Sequence, residues 1–364
     1  MYSLEIYHII LRVVNKKGAV MLDDLKIIHS RDNQDALGIT KKQSAQYRHA
    51  YNFQWQPSKP INNLVIAGMG GSGLAAKFLS TWPGLSVPIQ VVQDYNLPAY
   101  ISNNTLLIAV SYSGNTEEIV NILDDALKLP DQPMIIVICD GGELEDIATK
   151  HQLPLIKIPV NYQPRMTFGY QLRALSEAIE QSGLASNLVT QLEESSSKLD
   201  SVLDEFIETK ATSSNLAKQI ALEMVGKSVV IYSSAKFYPI AYKWKISVNE
   251  NAKSISWANQ FPEFNHNEFI GWTSHPVDKP YSVIELRSNL DNPRILKRFE
   301  ITEQLLSGKK PAAEVVDLKG ETMLDQIMYG VALGDFVSIY LAILNGIDPT
   351  PVDIIETFKD KLAN

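Results

Sequence analysis

Short apolar runs alternate along the chain with stretches in which apolar residues return every three or four positions. Leu64–Ala67, Val87–Gln93, Thr105–Val110, Met134–Cys139 and Leu155–Ile158 have strand length. They lack the in-out alternation of a half-exposed strand, as expected of strands covered on both faces. Between them, Leu74–Thr81, the series Ile119, Ile122, Leu123, Ala126 and Leu127, and Leu144–Lys150 repeat at helical spacing. Strands and helices in alternation with short connections predict a doubly covered parallel sheet, whose ligands collect at the carboxyl ends of the strands. A helical stretch opens at Pro164 and stops at Gly183, a charged helix follows from Leu188 to Ile207, and then the alternation restarts. Val229–Tyr232, Tyr281–Leu286 and Glu314–Leu318 read as strands, with helices over Tyr238–Asn249, Pro293–Leu306 and Met323–Leu344. This predicts a second α/β unit, sharing architecture more than sequence with the first.

The 364 residues are enough for two domains. The pattern divides them into a possible upstream extension (1–20), a polar leader draped over the first domain (21–52, helical from Thr40 to His49), a first domain (53–208), a second (209–347) and a tail (348–364). Tyr2–Val14 is apolar but short and interrupted by Glu5, His8 and Arg12, so neither a bilayer span nor a signal peptide is expected there. Met21 is a candidate start; a short helix or strand packed on the body is the alternative. A net charge of −8 with no basic run argues against a nucleic-acid surface, so any phosphate must be held locally. The single cysteine, Cys139, rules out internal disulfides and points to a reducing, cytoplasmic compartment.

Candidate chemistry begins at Ser111-Tyr112-Ser113-Gly114-Asn115-Thr116, which sets hydroxyls where a buried strand becomes a helix. Ser113 or Asn115 can cap that helix, and its first N–H groups, at the positive end of the helix dipole, favour an anion such as phosphate. Gly68-Met69-Gly70-Gly71-Ser72-Gly73 follows the first strand with dinucleotide-like spacing, and Asp94 stands where such a site wants an acid. A dinucleotide site, however, has no use for a second phosphate cradle, so Gly70, Gly71 and Ser72 are read with Ser111, Ser113 and Thr116 as one phosphate-binding set. Arg165 falls just beyond a strand end, on the rim where ligands collect.

Glu250 and His266 form a second focus. A carboxylate and an imidazole are the pair needed to move protons on a sugar, one for a C–H beside a carbonyl and one for the ring oxygen. Structural alternatives exist for both. Glu250 could pair with Lys245 or Lys253 at a helix end, and His266 could be a hydrogen-bonded turn residue.

Gly70-Gly71-Ser72-Gly73, Ser111 through Glu118, Pro164-Arg165, Asn249-Glu250-Asn251 and Glu263-Phe264-Asn265-His266-Asn267-Glu268 together resemble the bifunctional phosphoglucose/phosphomannose isomerases, a branch of the sugar isomerase (SIS) domain proteins. The resemblance runs in order and spacing from Leu22 to the C-terminus, and the extension before Met21 is its one departure. It implies two SIS-type, flavodoxin-like doubly wound subdomains and a C-terminal helix carrying a catalytic lysine, for which Lys359 matches better than Lys361. It implies that the phosphate set binds a 6-phosphate, that His266 and Lys359 open the hexose ring, that Glu250 carries the proton between C1 and C2, and that Arg165 stabilises the enediolate. It further implies a homodimer in which His266 reaches the neighbouring site, with no metal or other cofactor, no nucleic acid and no membrane. Two other readings remain open at this point: a non-catalytic sugar-phosphate sensor, and an isomerase for another sugar phosphate.

Overall fold

The structure, a computed structural model, describes residues 17–274 and 280–362. It separates into two compact units: Lys42–Leu199, and the chain from Asp200 onward together with the residues up to Lys41.

In the 42–199 unit, β1 (Asn63–Ala67), β2 (Ile89–Val92), β3 (Thr105–Val110), β4 (Met134–Cys139) and β5 (Leu155–Lys157) form a parallel sheet in the order β2-β1-β3-β4-β5. This is the flavodoxin-like order, which places a topological switch between β1 and β3. Helix Glu117–Lys128 presses Ile119, Ile122, Leu123 and Ala126 onto Val65, Leu107 and Val137. Each large aliphatic side chain buried there contributes roughly 1.5–3 kcal/mol. Cys139 is buried at the end of β4, and burial pushes its thiol up to about 11, away from reactivity.

In the other unit, β6 (Ser228–Ser234), β7 (Ser256–Phe261), β8 (Tyr281–Arg287) and β9 (Ala313–Asp317) run parallel in the order β7-β6-β8-β9. One face is covered by an aromatic cluster of Tyr232, Phe261, Phe264, Trp272 and Phe299. Helix Tyr238–Ala252 packs instead against the long helix Met323–Leu344, with Trp244 Nε1 donating to the Gly330 carbonyl at 2.7 Å. That long helix is apolar enough by composition to cross a membrane, yet 94% of its most apolar window is buried inside the protein. It is a core helix.

Three expectations change. The leader does not drape as one piece over the first domain. Around residue 23, Lys218 Nζ donates to the Leu22 carbonyl and Thr212 N to Asp23 at 2.7 Å, whereas Gln46 Nε2 bonds the Met166 carbonyl at 2.8 Å. The chain therefore changes unit near Lys42, and the helix expected over Thr40–His49 is split into Ala36–Lys41 and Gln43–Tyr47. Of the expected extension (1–20), residues 1–16 lie outside the described residues; 17–20 begin a helix that runs on into the leader to residue 22, where Leu22 is buried. Lastly, β7 has no counterpart among the strands expected from periodicity. Ser256-Trp257-Ala258-Asn259-Gln260-Phe261 is an edge strand, paired only to β6, so polar residues sit on both of its faces.

Candidate functional site

At the carboxyl ends of β1 and β3 the backbone is arranged for close approach. The glycine loop passes directly into helix Gly70–Leu79, so Gly70, Gly71 and Ser72 form its first turn, and no side chain caps it at Met69. Nor does the Thr116 side chain cap helix Glu117–Lys128. Two helix N-termini thus carry N–H groups uncapped by their N-cap side chains, the arrangement that attracts an anion.

The hydroxyls are oriented by the same loops. Ser72 Oγ accepts from Tyr112 N at 3.0 Å, leaving its own proton to donate. Ser111, fully buried, has its Oγ 2.7 Å from Thr116 Oγ1 and accepts from Gly114 N at 3.1 Å. Ser113 is exposed and its Oγ accepts from Asn115 N at 3.3 Å. Gly114 stands at φ +69°, and a Cβ there would lie 1.7 Å from the Gly141 carbonyl oxygen, so the turn admits only glycine. The expected capping role moves: Asn115 Oδ1 accepts from Glu143 N at 2.9 Å, on the next helix, rather than capping its own.

The backbone of Arg165 lies against the glycine end of this set. A Cβ on Gly71 would meet Arg165 N at 2.9 Å, so the glycine lets the Pro164–Met166 turn lie against the helix start. The Arg165 side chain is only 2% exposed, with Nη1 donating to Gln163 Oε1 at 3.3 Å. The structure therefore brings Gly70, Gly71, Ser72, Ser111, Thr116 and Arg165 together, with Ser113 one step outward. Sequence reasoning missed Gln171. Fully buried, it donates to the Gly71 and Ser72 carbonyls at 3.1 and 3.2 Å in the amide orientation that satisfies both its ends, while accepting from Thr167 Oγ1. An amide at an otherwise apolar helix position was the available signal.

Glu250, His266 and Lys359 all belong to the other unit. Glu250 is half-buried in the last turn of helix Tyr238–Ala252. That helix is fixed by Lys243, which bonds Asp335, by Ser247 Oγ donating to Asp335 Oδ1 at 2.9 Å, and by Asn251 Nδ2 donating to Ser338 Oγ at 2.9 Å. Lys253, considered above as a partner for Glu250, donates to the Asp348 and Pro349 carbonyls at 2.9 and 3.1 Å. It thereby ties the start of the tail to the Glu250 end of the helix. Lys359 lies on the exposed tail helix Asp353–Leu362, paired with Glu356 at 2.9 Å.

His266 is elsewhere. It ends the short turn Glu263–His266 that follows β7, and its imidazole is exposed. The helix bearing Glu250 finishes where β7 begins, whereas His266 comes after β7 ends, six residues or roughly 20 Å along the strand. The His266 turn also packs on the aromatic face, opposite the face taken by helix Tyr238–Ala252 in a doubly wound sheet. The structure does not bring Glu250 and His266 together within one chain.

Residues 213–362 match the family model described as bacterial phospho-glucose isomerase C-terminal SIS domain. The chain is 35% identical over 310 residues to the bifunctional phosphoglucose/phosphomannose isomerase of Caldicellulosiruptor bescii, covering 84% of this chain and 91% of that protein. It is 28% identical to the D-glucosamine-6-phosphate 4-epimerase of Sulfolobus acidocaldarius, over 84% of this chain and 91% of that protein. Among solved structures, a glucose-6-phosphate isomerase like protein from Thermus thermophilus superposes with a TM-score of 0.62 at 16% identity, covering 93% of this chain and 98% of that one, which shows a shared fold. By its identity to the Caldicellulosiruptor bescii protein over most of both chains, the chain belongs to the family of bifunctional phosphoglucose/phosphomannose isomerases.

Proposed function

We propose that the protein interconverts glucose 6-phosphate, and mannose 6-phosphate, with fructose 6-phosphate, through ring opening and a cis-enediol intermediate. The observation that carries this reading is the convergence of two uncapped helix N-termini with the hydroxyls of Ser72, Ser111, Ser113 and Thr116 beside buried Arg165. A phosphate held there by Gly70, Gly71 and these hydroxyls anchors the non-reacting end of the sugar. His266 and Lys359 exchange protons with the ring oxygen and the anomeric hydroxyl, which opens the ring. Glu250 then takes the C2 proton of the open aldose and returns it to C1, while the hydroxyl proton passes from O2 to O1, so that aldose becomes ketose with atoms balanced. Arg165 offsets the negative charge that develops on the enediolate oxygens.

Because Glu250 and His266 lie on opposite faces and at opposite ends of β7, a complete site takes His266 from a second copy. The working form is then a homodimer, and it acts in the cytoplasm. The reading requires no metal or cofactor.

A second reading has one specific support, the similarity to the 4-epimerase. The same cradle would serve an amino-sugar phosphate, with chemistry at C4 instead of C2. The deciding experiment offers fructose 6-phosphate and measures glucose 6-phosphate and mannose 6-phosphate separately, with glucosamine 6-phosphate as a parallel substrate. Formation of both hexose phosphates is expected. Turnover of the amino sugar alone favours the second reading, and turnover of neither overturns both.

A further inference from the structure

His266 stands on a turn of four residues, too short to hold a side chain still by its own hydrogen bonds. Its neighbours supply the rigidity. Asn265 Nδ2 donates to Thr302 Oγ1 at 3.0 Å and Asn265 Oδ1 accepts from Arg298 Nη1 at 3.1 Å, two positions one turn apart on helix Pro293–Leu305. Phe264 is fully buried, its ring 4.8 Å from Tyr232 and 4.9 Å from Phe261. On the other side, Asn267 Oδ1 accepts from Glu268 N at 2.6 Å and its amide donates to Glu263. The Glu268 carboxylate accepts from Asn259 Nδ2 at 2.6 Å and from the Tyr232 hydroxyl, which in turn accepts from Trp272 Nε1 at 3.1 Å. Burial, and then the charge of Glu268, hold the Tyr232 hydroxyl well above the usual phenol range, so it remains a donor. Every polar side chain from Glu263 to Glu268 except one is spent on holding the turn. The exception is His266, whose imidazole is exposed and has no hydrogen-bond partner among the described residues.

We propose that Asn265 and Thr302 are positioning residues for His266: the Asn265 amide, locked between Arg298 and Thr302, fixes where the imidazole projects from the surface. This rests on the reading of His266 as a ring-opening group and adds what aims it. A group that must act in the site of another copy cannot be held by that site beforehand, so its aim has to be built into its own subunit. A displacement of about 1 Å in such a group can cost on the order of 100-fold in rate.

The test is a double-mutant cycle. Asn265→Ala and His266→Ala are made singly and together, with Thr302→Val as a second way to remove the contact while keeping the side chain's shape. The readouts are kcat and KM on glucose 6-phosphate and the thermal midpoint. Asn265→Ala is expected to lower kcat about 10- to 100-fold with KM little changed, Thr302→Val less, and neither to lower kcat further once His266 is gone. Additive losses in the double variant, or a lower thermal midpoint with kcat intact in both Asn265→Ala and Thr302→Val, overturn the positioning role. If His266→Ala alone leaves the rate unchanged, the assignment of His266 itself has failed. That result is distinct from the case in which His266→Ala is crippling and its neighbours are indifferent.

Discussion

The two sheets differ in how the helices that follow their strands begin, and the difference decides which of them has backbone donors to offer an anion. In the 42–199 unit the helices that begin at Gly70, Glu117 and Gly142 have no hydrogen bond from their own N-cap side chains. In the other unit most helix starts are capped: Asn215 bonds Lys218 N, Ser234 bonds Phe237 N, Asn267 bonds Glu268 N, Asn292 bonds Arg294 N, and Thr322 with Asp325 forms a capping box. A cap satisfies a free N–H and is worth about 1 kcal/mol to the fold. Omitting it at Gly70 and Glu117 gives up that stability and leaves donors and a positive dipole end for an incoming anion. The same topology thus yields helix starts open to an anion in one unit and, in the other, firm supports around Glu250 and His266, the residues proposed above for proton transfer.

The largest effect tests the second of these. Glu250→Gln removes the proposed base, and loss of exchange of the C2 proton of glucose 6-phosphate with solvent deuterium should reach the upper end of the usual range of about 100- to 10,000-fold for acid–base catalysis. His266→Ala should be nearly inactive on ring-closed substrate. When the two inactive proteins are mixed and exchange subunits, each mixed dimer of a symmetric pair regains one native site. Activity should then recover to about a quarter of native. No recovery under demonstrated exchange means that both residues serve one chain's site, against the geometry around β7. Native C2 exchange in Glu250→Gln would make that residue structural.

The cradle is predicted to respond in the other kinetic parameter. Ser113→Ala with Thr116→Ala removes two hydroxyls from the part of the substrate that does not react, a loss of uniform binding on the order of 1–3 kcal/mol. KM for fructose 6-phosphate should rise about 5- to 150-fold with kcat changed far less. An unchanged KM places the phosphate elsewhere. Ser111 should behave differently from this pair, because its oxygen is buried and already organises the loop through Gly114 N and Thr116. Removing it should lower stability as well.

The contrast between the units also explains what the sequence could and could not reveal. Buried parallel strands announce themselves as unbroken apolar runs, and Thr105–Val110 and Met134–Cys139 were legible to the residue. Helix Met323–Leu344 was legible too. The edge strand Ser256–Phe261 was not, since half-exposed polar residues carry no periodic signal and its identity comes from pairing with β6. In the candidate site, Gly71 and Ser72 were visible as motif positions, but the reason Gly71 must be glycine is the backbone of Arg165, more than ninety residues away in sequence. Gln171 and the Arg298–Asn265–Thr302 clamp were hidden for the same reason: each is a polar side chain whose partner is supplied by tertiary folding. The capping of the helix at Glu117 was not legible either, because Asn115 had two helix starts within reach, and only the folded loop decides that it serves the one at Gly142.

The smallest effect comes from exchanging the two designs. Asn292 caps helix Pro293–Leu305 through Arg294 N at 2.8 Å, at the end of the helix away from the Arg298 and Thr302 that hold Asn265. Asn292→Ala should therefore cost about 1 kcal/mol, seen as a fall of roughly 2–4 °C in the melting temperature, with KM unchanged. Thr116→Asp does the reverse in the cradle unit. An aspartate at that extended N-cap position can accept from the free N–H groups of helix Glu117–Lys128 and complements its dipole, so the protein should melt at an equal or higher temperature. The same carboxylate occupies the donors proposed for the phosphate and repels its charge, so KM should rise. Melting curves and KM measured on both variants decide the matter. If Thr116→Asp melts no lower but binds substrate as well as the native protein, the uncapped helix start is not a phosphate site, and the contrast between the two units is one of stability alone.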